Sequence, residues 1–287
     1  MSPTEQPTSK SSSSVNIRQV WQENLLDEFD HIGKLITRFS YISMDTEFPG
    51  CVIRPMNPNS APNHHHKLHP FHQYQLIKHN VDILNLIQVG LTLTDSDGNL
   101  PKLDGENSII WQFNFKDFDI SRDMCAPDSI HMLKKQGIDF ERNRSEGINS
   151  AHFAALMMHY KLVCNNDITW VTFHSAYDFG YLVKILTRRR LPNFLPEFLC
   201  VVNELFGHNV YDMKHLMRFC PGLYGGLEHV ARALQIIREV GLSHQAASDS
   251  LLTWRTFHKM RLTCFDCQNK DLKTHAGVLY GLEIYCV

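Results

Sequence analysis

The chain has 287 residues, 43% of them hydrophobic and 20% charged, with a formal net charge of −2. That composition excludes a fibrous or wholly disordered protein. The near-balanced charge excludes a polybasic binder that holds polyanions by bulk electrostatics.

Residues 1–15 are rich in Ser, Thr and Pro and contain no apolar run, so a disordered tail is expected there. No Pro/Gly/Ser-rich linker divides the rest of the chain, and residues 16–287 are expected to form a single domain. Every apolar stretch is interrupted before the ~20 residues that a membrane span needs. Eight cysteines are scattered through a chain without an export segment, which points to reduced thiols inside the cell. Cys264 and Cys267 have C-x-x-C spacing, but no second ligand pair sits nearby, and two ordinary cysteines on or after a helix are expected.

In chain order, Ile17, Val20, Trp21, Leu25, Phe29, Ile32 and Ile36 follow near-helical spacing and predict one amphipathic helix over 17–39. A short strand is predicted at Tyr41–Glu47. Residues 55–73 hold His64, His65, His66, His69 and His72 in a Pro/Asn-rich stretch, read as a loop with only adventitious metal affinity. Strands are predicted over 83–93 and 109–115, around the turn signal Asp95-Ser96-Asp97-Gly98, giving three antiparallel strands in succession.

The second half alternates. Helices are predicted near 127–136 and 150–163, a strand over 168–173 and a helix over 178–190 that stops before Pro192. A strand over 209–212 leads to helices near 213–219, 226–238, 247–262 and 270–282. The pattern predicts an α/β fold, a mixed sheet surrounded by helices.

Three elements carry chemistry. Asp45 and Glu47 lie two apart on an apolar strand, so their carboxylates share a face. Two adjacent anions repel unless a cation lies between them, and hard oxygen donors suit a divalent metal. Asp178 follows the strand 168–173 and a small-residue turn; alone it could be a helix N-terminal charge. Asp249 opens an apolar-periodic helix, with His244 five residues before it. Taken singly, each signal is modest.

In order, D-x-E, then D, then H-x4-D match the four-acid-plus-histidine pattern of DEDDh exonucleases. MDTEFPG, TFHSAYDFGYL, VYDMKHLM, GGL and HQAASDSLLTW further resemble the Pop/Caf-type deadenylase subunit of the carbon catabolite repression–Not complex. IRQVWQENL, WQFNF and LYGL add to the likeness, which runs over about residues 16–282, and the IRQVW opening has a plant-like look. The resemblance implies an RNase H-like fold, two Mg²⁺ or Mn²⁺ ions, and stepwise release of 5′-AMP from the 3′ end of single-stranded poly(A) RNA. It makes Asp45, Glu47, Asp178 and Asp249 the metal ligands and His244 the general base. It also implies a scaffold subunit and a second nuclease as partners; the reduced thiols point to work in the cytoplasm, with the nucleus as the second candidate. Ala176 and Ala247 stand where relatives carry Gly, two methyls expected to tighten the site without removing a ligand.

For base contacts, Phe48 and Phe179 adjoin the acids and are the candidates, with burial in the core as the competing reading. Arg188-Arg189-Arg190 suits RNA phosphates and a helix C-terminus equally well, and both readings stay open. Two other functions compete: an exonuclease for another nucleic acid, and a noncatalytic adaptor. An adaptor would have no use for clustered unpaired carboxylates.

Overall fold

The computed structural model describes residues 14–55, 68–103, 105, 107–268 and 271–284. Among the described residues six strands form one sheet: β1 (Val15–Val20), β2 (Tyr41–Glu47), β3 (Gln88–Thr94), β4 (Ser108–Asn114), β5 (Thr169–Thr172) and β6 (Val210–Asp212). Their order across the sheet is β1-β4-β3-β2-β5-β6. β2, β3 and β4 are antiparallel neighbours, as their turn signals predict, while β1 joins β4, β5 joins β2 and β6 joins β5 in parallel. The α/β mixed sheet is therefore as expected.

Ten helices of the described residues surround it: α1 (Leu25–Leu35), α2 (Pro70–Ile83), α3 (Pro127–Lys135), α4 (Phe140–Glu146), α5 (Ser150–His159), α6 (Ala176–Thr187), α7 (Leu195–Phe206), α8 (Met213–Leu216), α9 (Leu227–Ala233) and α10 (Ala246–Met260). Among the described residues none is long and apolar enough to cross a membrane.

The two faces of the sheet differ in chemistry. Ile42 and Met44 of β2, Val89, Leu91 and Leu93 of β3, and Trp111 and Phe113 of β4 enter the main core, together with side chains of α1, α2, α5, α6 and α7. The alternate residues face α10 and are mostly small or polar, with Ile110 packed on Ala247 and Leu251 of that helix. Ser43 Oγ donates to the Ser250 carbonyl (2.8 Å), and the Thr92 and Ser250 hydroxyls share a hydrogen bond of 2.8 Å. Each such bond contributes about 1 kcal/mol net. Gly90 pairs with Asp45 in the register of β2 and β3. A Cβ at Gly90 would lie 2.0 Å from the carbonyl carbon of Ala246, so only glycine lets the first turn of α10 rest on β3.

Several expectations need correction. The opening helix splits into β1 and α1, because VNIRQV pairs along β4 from Val15↔Ser108 to Val20↔Phe113. Asn24 turns the chain between them, accepting from the Trp21 N–H (2.8 Å) and donating to the Gln19 carbonyl (3.1 Å). Val15, assigned to the tail, opens β1; residues 1–13 lie outside the described residues. His69 caps α2 and His72 lies within it, whereas His64, His65 and His66 lie outside the described residues. Helices α2, α4 and α7 appear where none was predicted. The helix predicted over 270–282 is only a 3₁₀ turn, Leu272–His275, since Gly277 (φ 75°) and Gly281 (φ 86°) are left-handed. The seven described cysteines are free thiols.

Candidate active site

The site forms at the end of β2, where both layers contribute an acid. Asp45 and Glu47 leave the strand on the face covered by α10, the side that also carries Ser43. Thr46 leaves the opposite face, and its hydroxyl donates to Asp178 Oδ1 (2.5 Å) in the first turn of α6. Asp249, in the first turn of α10, comes from the other side. The sheet thus brings three distant segments together through one strand.

The acids are sparsely compensated. Among the described residues no hydrogen bond reaches the Asp45 or Glu47 carboxylate. Burial pushes the Asp45 carboxyl well above the ordinary range, and Asp249, Asp178 and Glu47 push it further, against Arg238. Glu47 is raised in the same way, by burial and then by Asp249 and Asp178. Asp178 is pushed up to about 7 by burial, although the Thr46 hydroxyl works against the shift. Asp249 is raised by burial despite the opposing Arg238 guanidinium.

Arg238 Nη2 donates to Asp249 Oδ1 at 2.5 Å, and the guanidinium also meets Glu228 and Ser248. The His244 N–H donates to Asp249 Oδ2 (2.7 Å), in a left-handed backbone conformation with φ 60°. The His244 ring is exposed, and Glu47, His244 and Asp249 each place a ligand atom within 4.8 Å of the other two. Several buried carboxylates opposed by one guanidinium fit hard divalent cations, which supply the missing positive charge.

All five predicted polar residues, Asp45, Glu47, Asp178, His244 and Asp249, therefore converge. Of the aromatic pair, Phe179 does not. Phe179 is fully buried, edge-on to Phe206 with ring centroids 4.9 Å apart, and has no face for a base. One residue of helix turns a side chain by about 100°, so Phe179 points away from its neighbour Asp178. Phe48 is partly exposed and packs on Tyr177 (5.2 Å) and Tyr181 (5.0 Å). The methyls of Ala176 and Ala247 also turn away from the site. Ala176 joins the main core, and Ala247 packs with Leu100, Ile110 and Leu251.

Four supporting residues escaped the sequence reading: Thr46, Gly90, Asp212 and Arg238. Asp212 is fully buried and accepts from the N–H groups of His174 (2.8 Å), Ser175 (3.1 Å), Lys214 (2.9 Å) and Tyr280 (3.0 Å). It fixes the turn that presents Asp178. An Asp between a strand and a helix is an N-cap signature, which was the available clue.

Comparison with known proteins agrees with this geometry. The sequence profile described as CAF1 family ribonuclease matches residues 20–155. The probable CCR4-associated factor 1 homolog 10 of Arabidopsis thaliana is 46% identical over 271 residues, covering 94% of each chain. The poly(A) ribonuclease pop2 of Schizosaccharomyces pombe is 43% identical over 250 residues, 87% of this chain and 70% of that one. Among solved structures, S. pombe Pop2p in its Mg²⁺- and Mn²⁺-bound form superposes with a TM-score of 0.82 at 41% identity, covering 93% of this chain and 99% of that one. Exonuclease I, at 18% identity and a TM-score of 0.51, covers 77% of this chain and 40% of its own, and shares the fold alone. With relatives this similar over nearly its whole length, the chain belongs to the CAF1 family of ribonucleases.

Proposed function

We propose that this chain is a 3′→5′ exoribonuclease that shortens the poly(A) tails of mRNA and releases 5′-AMP. The observation that carries the reading is the meeting of Asp45, Glu47, Asp178 and Asp249, with His244 beside them, at the end of one strand. The relative named poly(A) ribonuclease and the Mg²⁺- and Mn²⁺-bound Pop2p structure support it.

The four acids would hold two Mg²⁺ or Mn²⁺ ions. When bound, the ions supply charge neutralisation and Lewis acidity to an in-line displacement at phosphorus. His244 takes the proton of the attacking water at its imidazole, and its exposure lets it pass that proton to solvent. The water oxygen bonds to phosphorus, the bond to the 3′ oxygen breaks, and that oxygen takes a proton from solvent to become the new terminal hydroxyl. Thr46 orients Asp178 through its hydrogen bond, and the His244 N–H orients Asp249. Phe48 offers its exposed part to a base near the cut bond.

The scaffold and second-nuclease partners follow the same reading. A yeast CAF1 was co-crystallised with the NOT1 MIF4G domain, in a structure that superposes with a TM-score of 0.76 at 31% identity, and the Arabidopsis relatives are named for their association with CCR4. Residues 16–287 act as one catalytic domain, for which the continuous six-stranded sheet is the support. Work in the cytoplasm and the nucleus fits the free thiols of the described cysteines.

The deciding experiment is a time course on 5′-labelled RNA with a short A-tail in Mg²⁺, comparing wild type with Asp45→Ala. Wild type should remove one nucleotide at a time and stall at the non-A body, while the variant leaves the RNA intact. Wild type that is inert with several metals would instead favour a noncatalytic adaptor.

A further inference from the structure

Helix α6 begins at the acid cluster and ends at a second feature. A cavity of about 330 Å³ is lined by Lys184, Arg188, Arg189 and Arg190, together with Asp117 and Ser150. That is within the range of ligand pockets, about 300–1,000 Å³. Its charge is lopsided, because four cations line it against one carboxylate.

The carboxylate is already engaged. Asp117 accepts from Ser150 N (3.0 Å) and Ser150 Oγ (2.6 Å). Lys184 is engaged too, donating to the carbonyls of Val81 (2.9 Å) and Leu84 (2.8 Å) at the end of α2. The arginines are not. All three are exposed, and none has a hydrogen bond or ion pair among the described residues. Arg188 is the left-handed C-cap of α6 (φ 55°), so the run lies beyond the last helical turn, where Lys184 already meets the helix dipole. The helix therefore explains one cation of the four.

Tyr181 joins the two places. Its ring packs on Phe48, the neighbour of Glu47, and the same residue lines the cavity. Its buried hydroxyl has no hydrogen-bond partner among the described residues. Asp178, Tyr181 and Ile185 succeed one another along one stripe of α6, and Arg188 caps its end. Ten residues at a rise of 1.5 Å separate Asp178 from Arg188 by about 15 Å, roughly four stacked nucleotides at ~3.4 Å each. Guanidinium groups without partners suit phosphate, which they bind bidentately.

We propose that this cavity is a second phosphate-binding site, which grips the RNA backbone about four nucleotides upstream of the bond being cut. The inference rests on the exoribonuclease reading and deepens it: the site selects for length of single strand rather than for base. A free mononucleotide carries the same phosphate chemistry, and the test separates the two sources.

The experiment compares wild type with the variant carrying Arg188→Ala, Arg189→Ala and Arg190→Ala together. Both are assayed on a trinucleotide of adenylate and on an oligo(A) of about twenty nucleotides. On the long substrate KM should rise about tenfold with kcat unchanged, and the salt slope of log KM should fall by ~0.7 for each phosphate no longer gripped. The trinucleotide is too short to span the two sites, and its KM should not change. Unchanged KM and salt slope on the long substrate would overturn the inference while leaving the exoribonuclease reading intact. An equal rise on both substrates would overturn it too, as would loss of AMP binding alone. If wild type cuts neither substrate, the exoribonuclease reading fails. In that case anisotropy of labelled oligo(A) on an Asp45→Ala background still decides: an affinity loss of about tenfold supports the site, and equal affinity rejects it.

Discussion

Asp212 and the acids of the candidate active site are all carboxylates sheltered by the fold, yet their surroundings are opposite. Asp212 is surrounded by donors: four backbone N–H groups and the Ser175 hydroxyl (3.3 Å). Asp45 and Glu47 receive no hydrogen bond among the described residues, and burial together with their acidic neighbours raises both. A carboxylate that serves the fold is given partners, because an unpaired buried charge costs several kcal/mol. A carboxylate that serves a cation is left short, so that the cation completes it. Glu28 belongs with Asp212: it accepts from Arg18 Nε (2.7 Å) and Trp111 Nε1 (2.9 Å), and ties β1 to α1 and β4.

That contrast can be broken most sharply by removing one acid of each kind. Asp45→Asn should cut the rate of tail shortening at least about a thousandfold, equivalent to ~4 kcal/mol of barrier. The same change should raise the metal-free stability by about 1–2 kcal/mol, since it relieves an unpaired charge. Asp212→Ala should do the reverse to stability, lowering it by about 4 kcal/mol, because it strands several buried donors. Urea unfolding in EDTA reads both, and a stabilised Asp212→Ala would contradict the distinction.

Gly90→Ala tests whether the acids depend on the approach of α10 to β3. With a Cβ 2.0 Å from the Ala246 carbonyl carbon and 2.3 Å from the Ala247 nitrogen, the helix must move or the fold must strain. We expect a loss of about 3 kcal/mol in stability, at the upper end of overpacking costs, and loss of activity with every acid still present. Near-wild-type melting and rate would show that α10 has room to spare.

The raised carboxyls also fix a pH dependence. Asp178, near 7 in the folded protein against about 3.9 in the unfolded chain, binds more protons when folded across that window. Metal-free stability should therefore fall as pH rises from about 4 to 7. Asp45, Glu47 and Asp249 shift in the same direction and steepen the fall. Mg²⁺ at a hundred times its Kd should restore about 2.7 kcal/mol. A melting temperature that climbs with pH in EDTA would refute the assignment of unpaired acids.

The smallest expected effect is Thr46→Val, which keeps the shape and removes the hydroxyl bonded to Asp178. Stability should change by about 1 kcal/mol and Mg²⁺ affinity should fall about threefold to tenfold, measured by calorimetry.

The parts legible in the sequence were those set by local periodicity. β3 reads QVGLTLT, and its alternation survives into the structure as Val89, Leu91 and Leu93 on the core side with Gly90, Thr92 and Thr94 opposite. The acids were legible through the family resemblance of the D-x-E, D, H-x4-D order; the two-residue strand spacing and the helix starts were modest signals taken singly. β1 was not, since Ile17, Val20, Trp21 and Leu25 mimic a helical stripe and only pairing with a distant strand makes VNIRQV extended. Thr46, Gly90 and Arg238 were silent for the same reason. Each acts through a partner far away in the chain or across a sheet, and nothing in the neighbouring residues reports that.

The reach of Asp212 has one more consequence. Its carboxylate holds the Tyr280 N–H as well as the turn before Asp178, and so fastens the C-terminal segment to the catalytic machinery. Proteolytic trimming that removes Tyr280 would loosen the turn that carries Asp178, and a clipped molecule would lose its cutting power before it lost its fold.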